Sequence, residues 1–143
     1  MFIGKHDRSL DDKGRLVLPT PYRRPFDDAG GGIVAPWDRC LAMWPRDVFE
    51  GVMDKLIEKV EAGEANDDVA RVFQSQAAEF QLDGQGRFVV PVQHRGHAAI
   101  QRDVLVIGQR SRIELWDVDR FGAVEEENTP DAVSTEIRSL RIF

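Results

Sequence analysis

Cysteine, long apolar runs and metal-binding clusters are scarce or missing in this chain, and each absence closes a class of function. A single cysteine, Cys40, among 143 residues has no partner for an intramolecular disulfide and cannot build a multi-cysteine metal site. The longest apolar runs fall far short of the roughly 20 residues that span a bilayer. The opening Met1-Phe2-Ile3-Gly4-Lys5-His6-Asp7-Arg8 has no apolar core, so it does not read as a secretion signal. His94 and His97 stand at a spacing that can chelate a metal on one helical turn, but His6 is distant and no further ligand lies near by. The Gly30-Gly31-Gly32 run lacks the lysine and spacing of a phosphate-binding loop. Cys40 reads as a small apolar residue buried in a strand. No metal, cofactor, membrane or catalytic role is expected, and a cytoplasmic location is.

What is present is a motif written twice. Leu10-Asp11-Asp12-Lys13-Gly14-Arg15-Leu16-Val17-Leu18-Pro19 returns as Leu82-Asp83-Gly84-Gln85-Gly86-Arg87-Phe88-Val89-Val90-Pro91, a step of 72 from Leu10 to Leu82. The same step carries Arg23 onto Arg95, Ile33-Val34 onto Leu105-Val106, Trp44 onto Trp116, Asp47 onto Asp119 and Phe49 onto Phe121, with no gap. Register held over that length marks an internal duplication. The motif has a local mechanism. Aspartate suits the first position of a turn, where its carboxylate bonds backbone N–H groups ahead of it. Gly14 and Gly86 would take the left-handed conformation that closes a hairpin with a bulge. Arg15 and Arg87 would then open returning strands that Pro19 and Pro91 end.

The net charge of −6 argues against a nucleic-acid partner until it is mapped. Residues 1–24 hold six basic residues against three acidic, and 82–116 hold five against three. Residues 46–68 hold three against eight, and 117–136 one against seven. The acid is concentrated outside the repeated motifs, so one basic face can coexist with a soluble acidic remainder.

Along the chain, residues 2–10 and 16–18 read as strands about the first turn. Thr20 would cap a short helix with Pro21 at its first position, followed by a loop over 27–32. Strands are expected over 33–35 and 40–44. Asp47 and Glu50 form a capping-box pattern for a helix, whose apolar face is Phe49, Val52, Met53, Leu56, Ile57 and Val60. Gly63 would break it. Asn66 would cap a second helix with buried face Val69, Val72, Phe73, Ala77 and Phe80. In the second half, Phe88-Val89-Val90 is expected to pair with the strand before Asp83. A helix over 93–99, strands over 104–107 and 113–116 and a helix over 119–127 follow. Residues after Asn128 read as a frayed tail or a short helix carrying Ile137, Leu140 and Phe143.

Asp11 and Asp83 could form a carboxylate pair, but their turn role explains them. Arg15 and Arg87 could do no more than pair with the aspartate of their own turn. Such a surface pair stabilises little. Two guanidiniums at equivalent turns also suit bidentate contact with phosphate or guanine. Lys13 sits at the first tip, with Gln85 in its place at the second.

Met1-Phe2-x-Gly4, the two Leu-Asp-x-x-Gly-Arg motifs at their separation and Glu114-Leu115-Trp116 together resemble the MraZ family of bacterial transcriptional regulators, over residues 1 to about 125. The resemblance implies an α+β, mainly β fold. Two fused AbrB-like swapped-hairpin units would form one pseudo-symmetric β-barrel core with peripheral helices. The units would be residues 1–48 and 75–121, joined by a helical segment over 49–74 and followed by a helix or tail over 122–143. It implies a DNA-binding repressor of the division and cell-wall gene cluster that includes its own gene. Its partners would be short direct repeats of double-stranded DNA in a promoter region and further copies of itself in a ring, an octamer being expected, in the cytoplasm at the nucleoid. By motif, Arg15 and Arg87 would be the DNA-contact positions, Asp11 and Asp83 their partners, and Lys13 an added contact. The rival readings are a ring-forming scaffold without DNA binding and an AbrB-type antitoxin.

Overall fold

The computed structural model describes residues 1–143. In chain order the elements are β1 (Lys5–Ser9), β2 (Arg15–Val17), α1 (Thr20–Asp28), β3 (Gly32–Trp37), β4 (Cys40–Pro45), α2 (Arg46–Glu61) and α3 (Asp67–Ser75). They continue with β5 (Ala78–Phe80), β6 (Arg87–Val89), α4 (Val92–Ala98), β7 (Asp103–Gln109), β8 (Arg112–Asp117), α5 (Val118–Glu127) and α6 (Pro130–Ser139). The fold is α+β with antiparallel strand pairing throughout. Six strands form one sheet in the order β1-β7-β8-β4-β3-β5, and β2 pairs with β6 in a separate ribbon.

This is not the closed barrel expected above, and the reason lies in the turns. Asp11 N–H bonds the Arg15 carbonyl at 3.0 Å and Gly14 N–H bonds the Asp11 carbonyl at 2.9 Å. Beyond those bonds the strands part. β1 runs along β7 while β2 crosses to β6. The strand after Asp83 behaves likewise: β6 joins β2, whereas β5 joins β3. Phe88-Val89-Val90 therefore does not pair with the strand before Asp83. The large sheet is left open at β1 and β5. The step of 72 passes through the pairing. His6↔Val106 has its counterpart in Ala78↔Val34, Arg15↔Val89 in Arg87↔Val17, and Leu41↔Leu115 in Ile113↔Met43.

Alternation along β4 and β8 sets the layers. Leu41, Met43, Ile113 and Leu115 enter the main core, which the ribbon closes with Leu16, Leu18, Phe88 and Val90. Tyr22 and Phe26 of α1 and Ala98 of α4 complete that side. On the opposite face Ala42 and Trp44 meet Phe49, Val52 and Phe73 of α2 and α3, and Leu105 and Trp116 meet Phe121 and Val124 of α5. Glu114 is buried there and is satisfied by Arg112 Nε and Nη2 and by the Trp116 indole N–H.

Several local expectations shift. Pro19, not Thr20, is the N-cap of α1, and the helix runs through Pro25 to Asp28, where a loop was expected. Pro45 caps α2, and Asp47 Oδ1 accepts from the neighbouring Val48 N–H instead of forming a capping box with Glu50. Asn66 does cap α3, accepting from Asp68 N–H at 2.8 Å. However, α3 buries Ala70, while Val69 and Val72 are more than half exposed. Its apolar face is wider than the strip of body it covers. Residues 130–139 form a helix, and Leu140 and Phe143 beyond it lie in solvent.

Candidate functional site

The two turns are superposable in their chemistry. Asp11 Oδ1 accepts from the backbone N–H of Lys13 at 2.9 Å and of Arg15 at 2.8 Å, and its Oδ2 accepts from Arg15 Nε at 2.6 Å. Asp83 Oδ1 accepts from Gln85 N–H at 2.9 Å and Arg87 N–H at 3.0 Å, and Oδ2 accepts from Arg87 Nε at 2.8 Å. Gly14 and Gly86 take φ of 73° and 74°, in the left-handed region that lets the chain turn back at once. The aspartate thus fixes the turn with one oxygen and the arginine with the other. The Arg15 backbone N–H leads in holding the Asp11 carboxyl below its ordinary value, aided by the Arg15 side chain and opposed by some desolvation. The Arg87 backbone N–H, then its side chain, lowers the Asp83 carboxyl to about 2. Both carboxylates are ionised at neutral pH and engaged in holding the turn and its arginine.

The structure brings Asp11 together with Arg15 and Asp83 with Arg87, and the ribbon brings the two pairs together. In β2–β6, Leu16 and Phe88 face the core, so Arg15, Val17, Arg87 and Val89 face outward. Arg15 lies opposite Val89 and Arg87 opposite Val17, a same-face diagonal about 7–8 Å long. The aspartates use only the Nε of each arginine, and the outer guanidinium nitrogens make no hydrogen bond within the chain. Lys13 and Gln85 are exposed at the tips.

Two arginines were missed as site residues. Arg23 Nε donates to the Leu18 carbonyl at 2.9 Å and Arg95 Nε to the Val90 carbonyl at 3.2 Å. Their guanidiniums lie across the glycine of the other repeat's tip. A Cβ at Gly14 would sit 3.1 Å from Arg95 Cζ, and one at Gly86 would collide with Arg23 Nε and Cδ. Each tip therefore borrows an arginine from the other half. The signal was available, because Arg23 and Arg95 are 72 apart. What alignment could not show is that β2 and β6 exchange partners.

The remaining candidates are engaged structurally. His94 Nε2 donates to the Gln76 carbonyl at 2.7 Å and His97 Nε2 to the Asp38 carbonyl at 2.9 Å, so those nitrogens are not turned to a shared metal. Cys40 is fully buried, its thiol donating to the Trp37 carbonyl at 3.0 Å, and burial pushes the thiol pKa up, away from nucleophilic use. No helix is long and apolar enough to cross a membrane.

Charge divides with the layers. The tips, with Lys13, Arg15, Arg23, Arg87 and Arg95, occupy the ribbon side of the sheet. The acid-rich stretches 46–68 and 117–136 build α2, the start of α3, α5 and part of α6, and α2, α3 and α5 cover the opposite face.

The family model described as "MraZ protein, putative antitoxin-like" matches residues 1–71 and 73–139, two segments that begin 72 apart. A transcriptional regulator MraZ of Alcanivorax borkumensis is 35% identical over 144 residues, covering 98% of this chain and 99% of that protein. Proteins of the same name from Frankia casuarinae and Salinispora arenicola are 41% and 40% identical. They cover 88% and 95% of this chain and 87% and 95% of their own.

Proposed function

The chain belongs to the MraZ family, and from that premise we propose that it is a sequence-specific DNA-binding transcriptional regulator that represses the division and cell-wall gene cluster containing its own gene. The observation that carries this reading is the ribbon. It presents Arg15 and Arg87 on one outward face, oriented by Asp11 and Asp83, with the acid-rich helices α2, α3 and α5 on the far side of the sheet. A two-stranded antiparallel ribbon fits the B-DNA major groove, about 12 Å wide, and guanidiniums suit guanine edges and phosphates. Lys13 adds a point charge at the first tip. The relatives' name supports the regulatory role.

In this reading residues 1–48 and 75–121 are two fused swapped-hairpin units, with 49–74 connecting them and 122–143 appended. The exchange of β2 and β6 between the halves supports that division. Several copies act together, in a ring, on short direct repeats, and the protein works in the cytoplasm at the nucleoid. Repeated weak tips then gain through effective concentration.

The test is a mobility shift on the DNA upstream of this gene. Binding is expected to fall steeply as salt rises, since phosphate contacts release condensed counterions. Absence of any shift at low salt would leave the scaffold reading in its place.

A further inference from the structure

The two halves differ at the seam between the short helix and the sheet. In the first half the Phe2 ring lies between α1 and the sheet, 5.5 Å from Tyr22 and 5.6 Å from Phe26. Tyr22 donates its hydroxyl to the carbonyls of Ile3 and Gly4. The Gly108 N–H also donates to Gly4 at 2.8 Å. A step of 72 turns Tyr22 into His94, Gly4 into Gln76, Phe26 into Ala98 and Gly108 into Pro36. His94 keeps the bond to the Gln76 carbonyl, but Pro36 has no N–H to give, and the position of Phe2 falls on Gln74, inside α3. The second seam is a cleft of about 640 Å³ lined by Gln76, Ala78, Val92, His94 and His97 among others. Its wall holds His94, 7% exposed, whose Nδ1 is buried without a hydrogen-bond partner. Gln76 also lines a second hollow of about 460 Å³ on α3, formed with Val69, Val72 and Phe73. Val69, Val72 and Val92 are each more than half exposed.

The same chain carries an unpartnered segment of matching form. No residue of α6 is buried, and none belongs to any of the three apolar clusters. Val133, Ile137 and Leu140 lie at i, i+4 and i+7, one stripe of the helix. Leu140, Ile142 and Phe143 then leave it exposed, Phe143 entirely. Arg138 and Arg141 alternate with those apolar residues, whereas Asp68 lines the α3 hollow and, with Asp67 beside it, outnumbers Arg71, the one cation both aspartates pair with. α6 follows α5 on the β7–β8 half of the sheet, and the groove lies on the β3–β5 half.

We propose that α6 and residues 140–143 of one copy dock in the α3–α4 groove of the next, helix on α3 and apolar tail in the seam that Phe2 fills in the first half. Donor and acceptor are different surfaces, so the contact is head-to-tail and passes from copy to copy until it closes. This rests on the self-assembly part of the function proposed above and not on DNA contact.

The experiment uses full-length chains with Val72→Glu in the groove and Leu140→Glu in the arm. Both sites are exposed, so the fold should tolerate them. By size exclusion with light scattering, wild type should assemble and each variant alone should run at the single-chain mass of 16.2 kDa. An equal mixture should yield a species of twice that mass, because one intact arm still meets one intact groove and the chain of contacts stops there. Complementation also shows that both variants are folded. Wild type running as a single chain would overturn the inference and the assembly reading together. Wild type and both variants assembling alike, or a mixture that stays at single-chain mass, would overturn this interface and leave assembly standing.

Discussion

The two tips share every bond that shapes them and differ in what they can offer. Each has an aspartate with one oxygen on two backbone N–H groups and the other on an arginine Nε, and each has a left-handed glycine. The first then exposes Lys13 where the second exposes Gln85. Turn geometry is thus kept while the exposed tip residue varies. Asp and Gly hold the shape in both tips, and in the proposed function Arg would couple that shape to DNA contact while Lys13 or Gln85 would set its strength.

Removing the arginines tests that coupling with the largest effect. Arg15→Ala should abolish operator binding in a mobility shift and leave assembly intact by size exclusion. A bidentate base contact carries about 1–3 kcal/mol per site, counted over every protomer engaged, whereas an exposed ion pair contributes little to the fold. Arg87→Ala should weaken binding less. Equal losses would show that the tip lysine does not distinguish the two hairpins. Normal operator binding by Arg15→Ala, or its dissociation into single chains, would remove this arginine from the reading altogether.

Much of this was legible in the sequence and some was not, for physical reasons. The Asp-to-Gly-Arg spacing encodes a turn because its bonds are local, and both turns form as the spacing requires. Strands β3, β4, β7 and β8 were legible because apolar residues run between turn signals. The partner of a strand is not a local property. Nothing in Phe88-Val89-Val90 says whether it returns beside β5 or crosses to β2, and that choice decides between a barrel and an open sheet with a ribbon. Val69 and Val72 gave a helical period but no information about how much body lies beneath it. Arg23 and Arg95 were visible as equivalent residues, yet their place on the opposite tips follows only from the crossing.

The glycines sharpen the comparison at the level of stability. Alanine at either tip must hold a left-handed φ, a cost of about 1–2 kcal/mol. The added Cβ at position 86 also collides with Arg23, while the one at 14 sits 3.1 Å from the movable end of Arg95. Gly86→Ala should therefore lower the denaturant midpoint more than Gly14→Ala. Identical midpoints would mean that the crossed arginines do not press on the tips. A smaller effect belongs to the tip residues themselves. Lys13→Gln should flatten the dependence of log affinity on log salt by about one phosphate contact, and Gln85→Lys should steepen it. An unchanged salt slope in both would place neither side chain at a phosphate.

The smallest expected effect comes from acid, and its sign follows from the aspartates. Both carboxyls titrate lower in the folded chain than the ordinary 3.8, Asp83 at about 2, chiefly because the Arg15 and Arg87 backbone N–H groups bond the ionised form. A depressed folded pKa means that the unfolded chain binds protons first, so stability rises with pH through this range. The contribution is complete above about pH 4 and is lost as pH falls toward 2. Asp83→Asn keeps a side-chain oxygen for the turn but cannot be protonated in this range and loses the charge that holds Arg87. Following unfolding by denaturant at pH 7, 4 and 2.5, the wild type should lose its advantage over Asp83→Asn mostly below pH 4. The corresponding loss at Asp11→Asn should begin in the same range, since both turns bond their carboxylates in the same way. An advantage that stays constant from pH 7 to 2.5 would show that the aspartates act on the turn as neutral hydrogen-bond acceptors, with no role for their charge in aiming the arginines.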